Sequence, residues 1–99
     1  MIRALTTRVY EFSTLAVSNR IQAELLRLAS LGTKVGKGAR IAPAPTHTEI
    51  ASRVSTHREA VTRELTRLAR IGLIEREKNA VVVINLERLA EMVHAATGE

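Results

Sequence analysis

Two signals for the start of a helix lie only ten residues apart in the middle of the chain. Thr46 and Thr56 are each followed three residues later by a glutamate, which is the spacing of a capping box. The residues between them are enough for only about two helical turns. This spacing predicts a short helix, a tight turn and a longer helix that runs over about residues 57–71 and stops at Gly72.

Both predicted helices carry an apolar stripe on one side. At about 100° per residue, the stripe of the longer helix is about 60° wide. Ala51 is small and lies where the two helices would cross, and Val61 would face it. Two helices packed in this way form a helix-turn-helix motif. The stripe residues are Ile50, Ala51 and Val54 in the short helix and Val61, Leu65 and Leu68 in the longer one.

The opposite side of the longer helix is polar and charged. Arg58 and Arg63 can each donate two hydrogen bonds to guanine O6 and N7, and Glu59 can accept one from cytosine N4. These three residues are therefore candidates for reading bases in a major groove. The alternative is a solvated helix surface held by pairs such as Glu59 with Arg63, worth about 0.2–0.5 kcal/mol each. Glu59 and Arg63 share this side with Thr66 and Arg70, whereas Arg58 and Thr62 flank it.

The charge balance favours a polyanion as the partner. The 99 residues are enough for one domain, and the formal net charge is +5 with a pI of about 10.7. The basic residues lie mainly in the first three-quarters of the chain, whereas residues 73–99 are net acidic. Tyr10 and Phe12 are the only aromatic residues, so there is no row of rings on which unpaired bases could stack. Duplex DNA is therefore favoured over single strands.

Several kinds of chemistry lack the residues that they need. The chain has no cysteine and no aspartate, and it contains neither a phosphate-binding GxxxxGK loop nor a nucleophile elbow. His47, His57 and His94 are not at metal-ligand spacings. The sequence therefore predicts no enzyme, no cofactor and no metal site. With no apolar run long enough for a membrane span and no signal-peptide pattern, a cytoplasmic location is expected.

A β-hairpin is predicted after the longer helix. Residues 73–76 and 80–84 have the composition of strands and flank a polar turn at Glu77, Lys78 and Asn79. The predicted fold class is therefore mainly α with a small β component (α+β), a winged helix-turn-helix.

A further amphipathic helix is predicted to begin at Asn85, beyond this wing. We expect its apolar stripe to pack on the domain rather than to recruit a partner. The stripe consists of Leu86, Leu89, Ala90 and Val93.

The N-terminal part has the spacing of a short amphipathic helix. Its stripe either packs on the rest of the domain or belongs to the end of a longer dimerisation helix, and the sequence leaves both interpretations open. Asn19 with Gln22 has the form of a new helix start, which predicts a second helix over residues 19–31. The first stripe consists of Ile2, Leu5, Val9 and Phe12.

Residues 32–45 contain three of the five glycines and both prolines, so a hairpin or a flexible loop is predicted there. The charges of this segment are Lys34, Lys37 and Arg40. They are interpreted either as solvated side chains or as contacts with a phosphate or a protein.

From about Thr6 to Ile84 the chain resembles the C-terminal DNA-binding domain of the cyclic-AMP receptor protein family of bacterial transcription regulators. Most of the resemblance lies in STHREAVTRELTRLARIGLIEREKNAVVVI, residues 55–84. In that family the pattern R-E-x-V-x-R opens the recognition helix. It matches Arg58, Glu59, Val61 and Arg63 of this chain.

The resemblance implies roles for individual side chains on duplex DNA. Arg58 and Arg63 would meet guanines, and Glu59 a cytosine, in a TGTGA-like half-site. Residues that lie near phosphates set the register of the protein without reading the sequence. By the same matching these are Thr46, His57 and Thr62.

The resemblance also implies a homodimer across a palindrome and a larger protein. Residues 1–18 would be the end of a dimerisation helix and a hinge, and residues 19–99 the winged helix-turn-helix domain with its C-terminal helix. The effector domain is expected to lie outside this chain, so no effector ligand is predicted. The loop matching residues 33–42 lies in the family near a surface that touches RNA polymerase. The alternative function is a protein–protein interaction module without specific DNA readout.

Two departures from the family pattern carry their own expectations. Ser55 occupies the turn where many helix-turn-helix proteins have glycine, which predicts a different backbone geometry there. Glu64 stands where an apolar residue often packs, which predicts that this side of the longer helix is more exposed than usual.

Overall fold

The computed structural model describes the backbone of residues 2–97 and the side chains of residues 15–95. Four helices and four strands follow one another in the order α1, β1, β2, α2, α3, β3, β4 and α4. Their bounds are α1 Ile2–Leu31, β1 Thr33–Val35, β2 Gly38–Ile41, α2 His47–Arg53, α3 Arg58–Arg70, β3 Ile74–Glu77, β4 Ala80–Val83 and α4 Leu86–Thr97. None of these helices, over the residues described, is long and apolar enough to cross a membrane.

The four strands form one antiparallel sheet in the order β1-β2-β4-β3. The wing is the hairpin of β3 and β4, in which Arg76 pairs with Val81. Strand β2 pairs with β4 on its other side, with Ala39 opposite Val83. The segment 32–45 is therefore a hairpin joined to the wing, and the predicted winged helix-turn-helix fold class is confirmed.

One apolar core lies between α1, the helix pair α2 and α3, the sheet and α4. The predicted stripes of α2 and α3 are buried in it, and α1 contributes a ridge of Ile21 and Leu25. Such burial stabilises the fold by about 25 cal/mol per Å² of apolar surface removed from water. Because the core covers one side of α3 completely, the other side of this helix faces outward.

Helix α1 is continuous, and the helix start predicted at Asn19 is wrong. No glycine or proline interrupts the preceding residues, so nothing forces a break there. The Asn19 side chain instead donates a hydrogen bond from Nδ2 to the backbone oxygen of Val93, at 3.1 Å. The stripe of Ile2, Leu5, Val9 and Phe12 lies outside the described side chains, so both interpretations of it stay predictions.

Helix α4 packs along α1, and this confirms the expectation that its apolar stripe belongs to the domain. Leu89 is fully buried in the core. The helix begins after Asn85, whose Oδ1 accepts a hydrogen bond from the backbone N–H of Arg88 at 3.1 Å.

The connection between α2 and α3 corrects two predictions. Ser55 itself adopts the left-handed region, with φ of 58°, so the turn keeps the geometry for which glycine is usual. The residue that caps α3 is His57, and its side chain makes no capping hydrogen bond, so the capping box predicted at Thr56 is wrong. The one predicted at Thr46 is confirmed, because its Oγ1 accepts the N–H of Glu49 at 3.0 Å.

Candidate nucleic-acid interface

Helix α3 presents two sides of opposite character. Val61, Leu65 and Leu68 are each at most 1% exposed and hold the helix on the core. The residues about 180° away around the helix therefore point to solvent. Beyond Arg70 the chain leaves the helix through Gly72, whose φ of 79° is one that L side chains rarely adopt.

The three predicted base-reading residues, Arg58, Glu59 and Arg63, are all exposed. Within the described part of the chain, neither arginine has a hydrogen-bond or ion-pair partner. The Glu59 carboxylate lies 3.9 Å from Nδ1 of His57, with both side chains more than three-quarters exposed. The alternative of a surface held by Glu59 with Arg63 is therefore not what this helix shows. Two free guanidinium groups remain near its N-terminal end.

Of the three predicted backbone-contacting residues, His57 precedes α3 and Thr62 lies in its first half, whereas Thr46 precedes α2. Thr46 uses its hydroxyl oxygen as the cap of α2, which leaves the hydroxyl hydrogen for another acceptor. His57 is exposed at the start of α3. The Thr62 hydroxyl lies 2.7 Å from Nδ1 of His47, and the tautomer of the imidazole decides which of the two donates.

His47 and Arg76 extend this surface, and sequence reasoning missed both. Burial of His47 and, to a smaller extent, the charges of Arg76 and Arg58 lower the pKa of its imidazole below the usual 6.5, which favours the neutral form. Arg76 on β3 donates from Nη2 to Oγ1 of Thr66 on α3, at 3.5 Å. The two-residue period of β3 was the available signal, since it places Arg76 on the same face as the buried Ile74.

Glu64 corrects a further expectation. Its side chain is only 4% exposed, although the sequence predicted a more open side of α3. The carboxylate accepts two hydrogen bonds from Arg67, from Nε at 3.1 Å and from Nη2 at 2.7 Å. Gln22 of α1 donates a third from Nε2 to Oε2, at 2.8 Å. These bonds compensate for the loss of water around the charge.

The basic hairpin lies on another part of the surface. Lys34 and Lys37 are exposed, whereas Arg40 donates from Nε to Oε1 of Glu77 at 3.2 Å and so links the hairpin to the wing. Over the described residues, no group of three histidine or glutamate side chains is placed to hold a metal ion.

Comparison with known proteins bears on this arrangement. Residues 19–92 match the family model described as the Crp-like helix-turn-helix domain. The chain belongs to this family. It is thus a helix-turn-helix DNA-binding domain of the type found in transcription regulators, as the motif at Arg58, Glu59 and Arg63 indicated.

Relatives of this Crp-like domain are transcription regulators. The chain is 28% identical over 88 residues to the transcriptional regulator SdrP of Thermus thermophilus, a match covering 89% of this chain and 44% of SdrP. The solved structure of TTHA1359, a transcriptional regulator of the CRP/FNR family from the same species, superposes with a TM-score of 0.67 and 28% identity, over 93% of this chain and 49% of that one.

A second solved structure is oxidised CprK in complex with o-chlorophenolacetic acid. It superposes with a TM-score of 0.72 and 26% identity, over 93% of this chain and 40% of that chain. The Crp-like domain described here thus spans less than half the length of each of these relatives.

Proposed function

We propose that α3 lies in the major groove of duplex DNA and reads its sequence, as the DNA-binding part of a bacterial transcription regulator. The observation that carries this proposal is the pair Arg58 and Arg63, both exposed and unpartnered among the described residues, with Arg63 on the side of α3 opposite the core and Arg58 at the first residue of the helix. A major groove about 12 Å wide admits one α-helix, whose N-terminal residues then meet the base edges.

The chemistry of the three side chains assigns their targets. Each guanidinium has the fork geometry that matches guanine O6 and N7, so Arg58 and Arg63 would each meet a guanine. Glu59 is acceptor-only when ionised, and cytosine N4 is the donor that it fits. The TGTGA-like half-site that the family resemblance implies offers guanines on one strand and cytosines on the other for these three contacts.

Contacts with phosphates would fix the register of α3. The candidates are Thr46, His57 and Thr62, and the partial positive charge of the helix dipole at the N-terminal end of α3, next to His57, also favours an anion. Arg76 of the wing, on strand β3 beside α3, would add a further cation to these phosphate contacts. These contacts supply affinity that does not depend on base sequence and that falls as salt rises.

In the intact protein we propose a homodimer formed through the N-terminal part of α1, which would place two copies of α3 on a palindrome. Two half-sites one helical turn apart, about 34–36 Å, match such a two-fold arrangement. The exposed Lys34 and Lys37 of the first hairpin are candidates for a contact with RNA polymerase, because the matching loop of the family lies near that surface.

Fluorescence anisotropy tests the DNA-binding proposal. A labelled TGTGA palindrome and a scrambled duplex of the same composition are each titrated with the chain at two salt concentrations. We expect preference for the palindrome and weaker binding at the higher salt, with a slope that counts the phosphates neutralised. Equal, salt-dependent binding to both duplexes would refute base reading. Weak binding without salt dependence would favour a protein-interaction module instead.

A further inference from the structure

We propose that residues 20–24 of α1 form a polar clamp that fixes the helix-turn-helix motif to α1. The clamp consists of the contacts made by Arg20, Gln22 and Glu24, which we assign as positioning residues for the recognition helix α3. This inference rests on the proposed function, since the position of α3 relative to α1 matters for DNA binding only if α3 meets the bases.

The buried polar groups of the molecule point to this place. Among the residues that the structure describes, the buried polar or charged side chains are Gln22, Glu24 and Glu64. All three lie where α1 meets the helix-turn-helix motif, and each has a hydrogen-bond or ion-pair partner. Because burying such groups is costly unless they are paired, their concentration at one interface indicates a specific role there.

One side of the clamp reaches α3. Gln22 donates from Nε2 to Oε2 of Glu64 at 2.8 Å, and Arg67 of α3 completes the carboxylate with two further hydrogen bonds. Arg67 is 46% exposed, so its guanidinium is still partly solvated while Glu64 is not. The contact between the two helices at this point is therefore a buried, directional one.

The other side of the clamp reaches α2 and the turn. Arg53 of α2 lies with Nε 2.9 Å from Oε2 of Glu24. Arg20 donates from Nε to the backbone oxygen of Val54, the residue that ends α2, at 3.0 Å. Little more than one turn of α1 thus holds all three parts of the helix-turn-helix motif.

The arrangement around α1 explains what the clamp does. Ile21 and Leu25 form the apolar ridge, Gln22 lies on one side of it, and Arg20 and Glu24 lie on the other. Apolar contact has no preferred direction, so a ridge alone resists rolling of α1 only weakly. Hydrogen bonds are directional, and with one on each side, a roll either way stretches a bond.

The consequence is that α1 and α3 move as one unit. A recognition site must be held to within about 0.5 Å and 10–20° to stay productive. Any rotation or tilt of α1 would pass through the clamp to Arg58 and Arg63. The clamp therefore has a role in orientation that is separable from stability, because replacing a buried polar pair by apolar residues of similar size often leaves stability unchanged or higher.

The test uses the full chain with Gln22→Leu and Glu64→Leu combined. The reversed pair, Gln22→Glu with Glu64→Gln, keeps a donor and an acceptor and serves as the matched control. Spin labels on Ala16→Cys and Arg70→Cys report the distance between α1 and α3, and the absence of natural cysteine makes the labelling specific. Unfolding in urea and affinity for the palindrome are measured on the unlabelled chains.

The clamp predicts separate outcomes for these readouts. The double leucine variant should unfold at the same or a higher urea concentration, lose the single narrow label distance, and bind the palindrome about tenfold more weakly. The reversed pair should restore the narrow distance and most of the affinity. A narrow distance in the double leucine variant would overturn the clamp.

Two controls keep failures distinguishable. If the double leucine variant does not fold, Arg20→Ala combined with Arg53→Ala removes both contacts on the other side of the clamp from exposed positions, and Ser52→Ala on α2 is the control. A narrow distance in the combined Arg20→Ala and Arg53→Ala variant would equally overturn the proposal. If the unaltered chain shows no preference for the palindrome, the proposed function fails, while the label distances still decide whether the clamp exists.

Discussion

The charged residues of α3 fall into two groups with opposite surroundings. Glu64 lies against α1, where its carboxylate is buried, and the half-exposed Arg67 donates two hydrogen bonds to it. Arg58 and Arg63 lie on the solvent side of the same helix, and the described part of the chain offers them no partner. Both groups consist of charged residues of the same helix. Their difference in burial and pairing therefore comes from the side of the helix that they occupy.

This difference separates two tasks. A charge that the protein has already paired and buried can fix the position of an element, but it has no capacity left for an outside ligand. An exposed guanidinium without a partner keeps all of its donors for a phosphate or a base edge. The sequence R-E-A-V-T-R-E-L-T-R of α3 therefore combines residues that hold the helix with exposed residues that are proposed to meet DNA.

The largest expected effect compares two glutamates of α3. Glu64→Ala should lower the free energy of unfolding by about 3 kcal/mol, because it leaves buried Gln22 without its acceptor and opens a cavity. Glu59→Ala, on the exposed side, should change it by less than about 0.5 kcal/mol. Urea unfolding of both variants measures this. Equal losses would contradict the division of α3 into two groups.

The second prediction concerns the unpartnered group. Arg63→Ala should weaken binding to the specific palindrome by about 1–3 kcal/mol and relax discrimination at one guanine, without changing stability. Arg88→Ala on α4 removes the same charge from another exposed position and is the control. Anisotropy titrations on specific and scrambled duplexes measure both. If Arg63→Ala weakened binding to the specific and the scrambled duplex by the same factor, the role of Arg63 would be backbone binding rather than base reading.

A substitution in the turn between α2 and α3 should affect stability without affecting either group of charged residues in α3. Ser55→Gly places glycine at φ of 58° and should raise the free energy of unfolding by about 0.5–1 kcal/mol, because the left-handed conformation strains a residue with a Cβ atom. Asn79→Gly in the wing, at φ of 61°, should raise the free energy of unfolding by less, since asparagine tolerates the left-handed region. Thermal unfolding compares them, and unchanged DNA affinity in Ser55→Gly would show that the two tasks are separable.

The smallest effect appears on acidification. The hydrogen bond from Arg27 holds the pKa of Glu24 below its usual 4.5 against the opposing effect of burial, and Arg53 adds to the lowering. The folded state thus binds this proton less readily than the unfolded state, so the contribution of Glu24 is present above pH 4.5 and is lost as pH falls below it. It is small because both arginines are partly solvated.

Glu24→Gln removes that proton linkage. The unfolding midpoint in urea should therefore fall less steeply for this variant than for the unaltered chain as the pH is lowered through 4.5. Glu49→Gln, which removes an exposed carboxylate of α2, is the control for the loss of a negative charge. An identical acid profile for Glu24→Gln would show that this side of the clamp carries no net ion-pair stabilisation.

Local chemistry explains which features the sequence predicted well. The cap at Thr46, the end of α3 at Gly72, the wing hairpin and the extra helix after Asn85 all depend on residues within a few positions of one another. Periodicity likewise identified the buried and exposed sides of α3, because a helix turns by a constant angle per residue. The roles of Arg58, Glu59 and Arg63 come from the family motif, and they stay predictions.

Other features depended on residues far apart in the chain, and there the sequence misled or gave no signal. The pattern at Asn19 has the form of a helix cap. The side-chain amide of Asn19 instead donates a hydrogen bond to the backbone oxygen of Val93, 74 residues away. Glu64 suggested an open surface because nothing local reveals that Gln22 lies opposite it.

What the sequence by itself determined was thus the order of the elements from residue 46 onward and the exposed motif of α3, since both follow from short-range spacing. Only the tertiary structure decided which charges are buried and paired. The physical reason is desolvation. The free-energy cost of burying a carboxylate depends on which groups the fold brings within hydrogen-bonding distance of it.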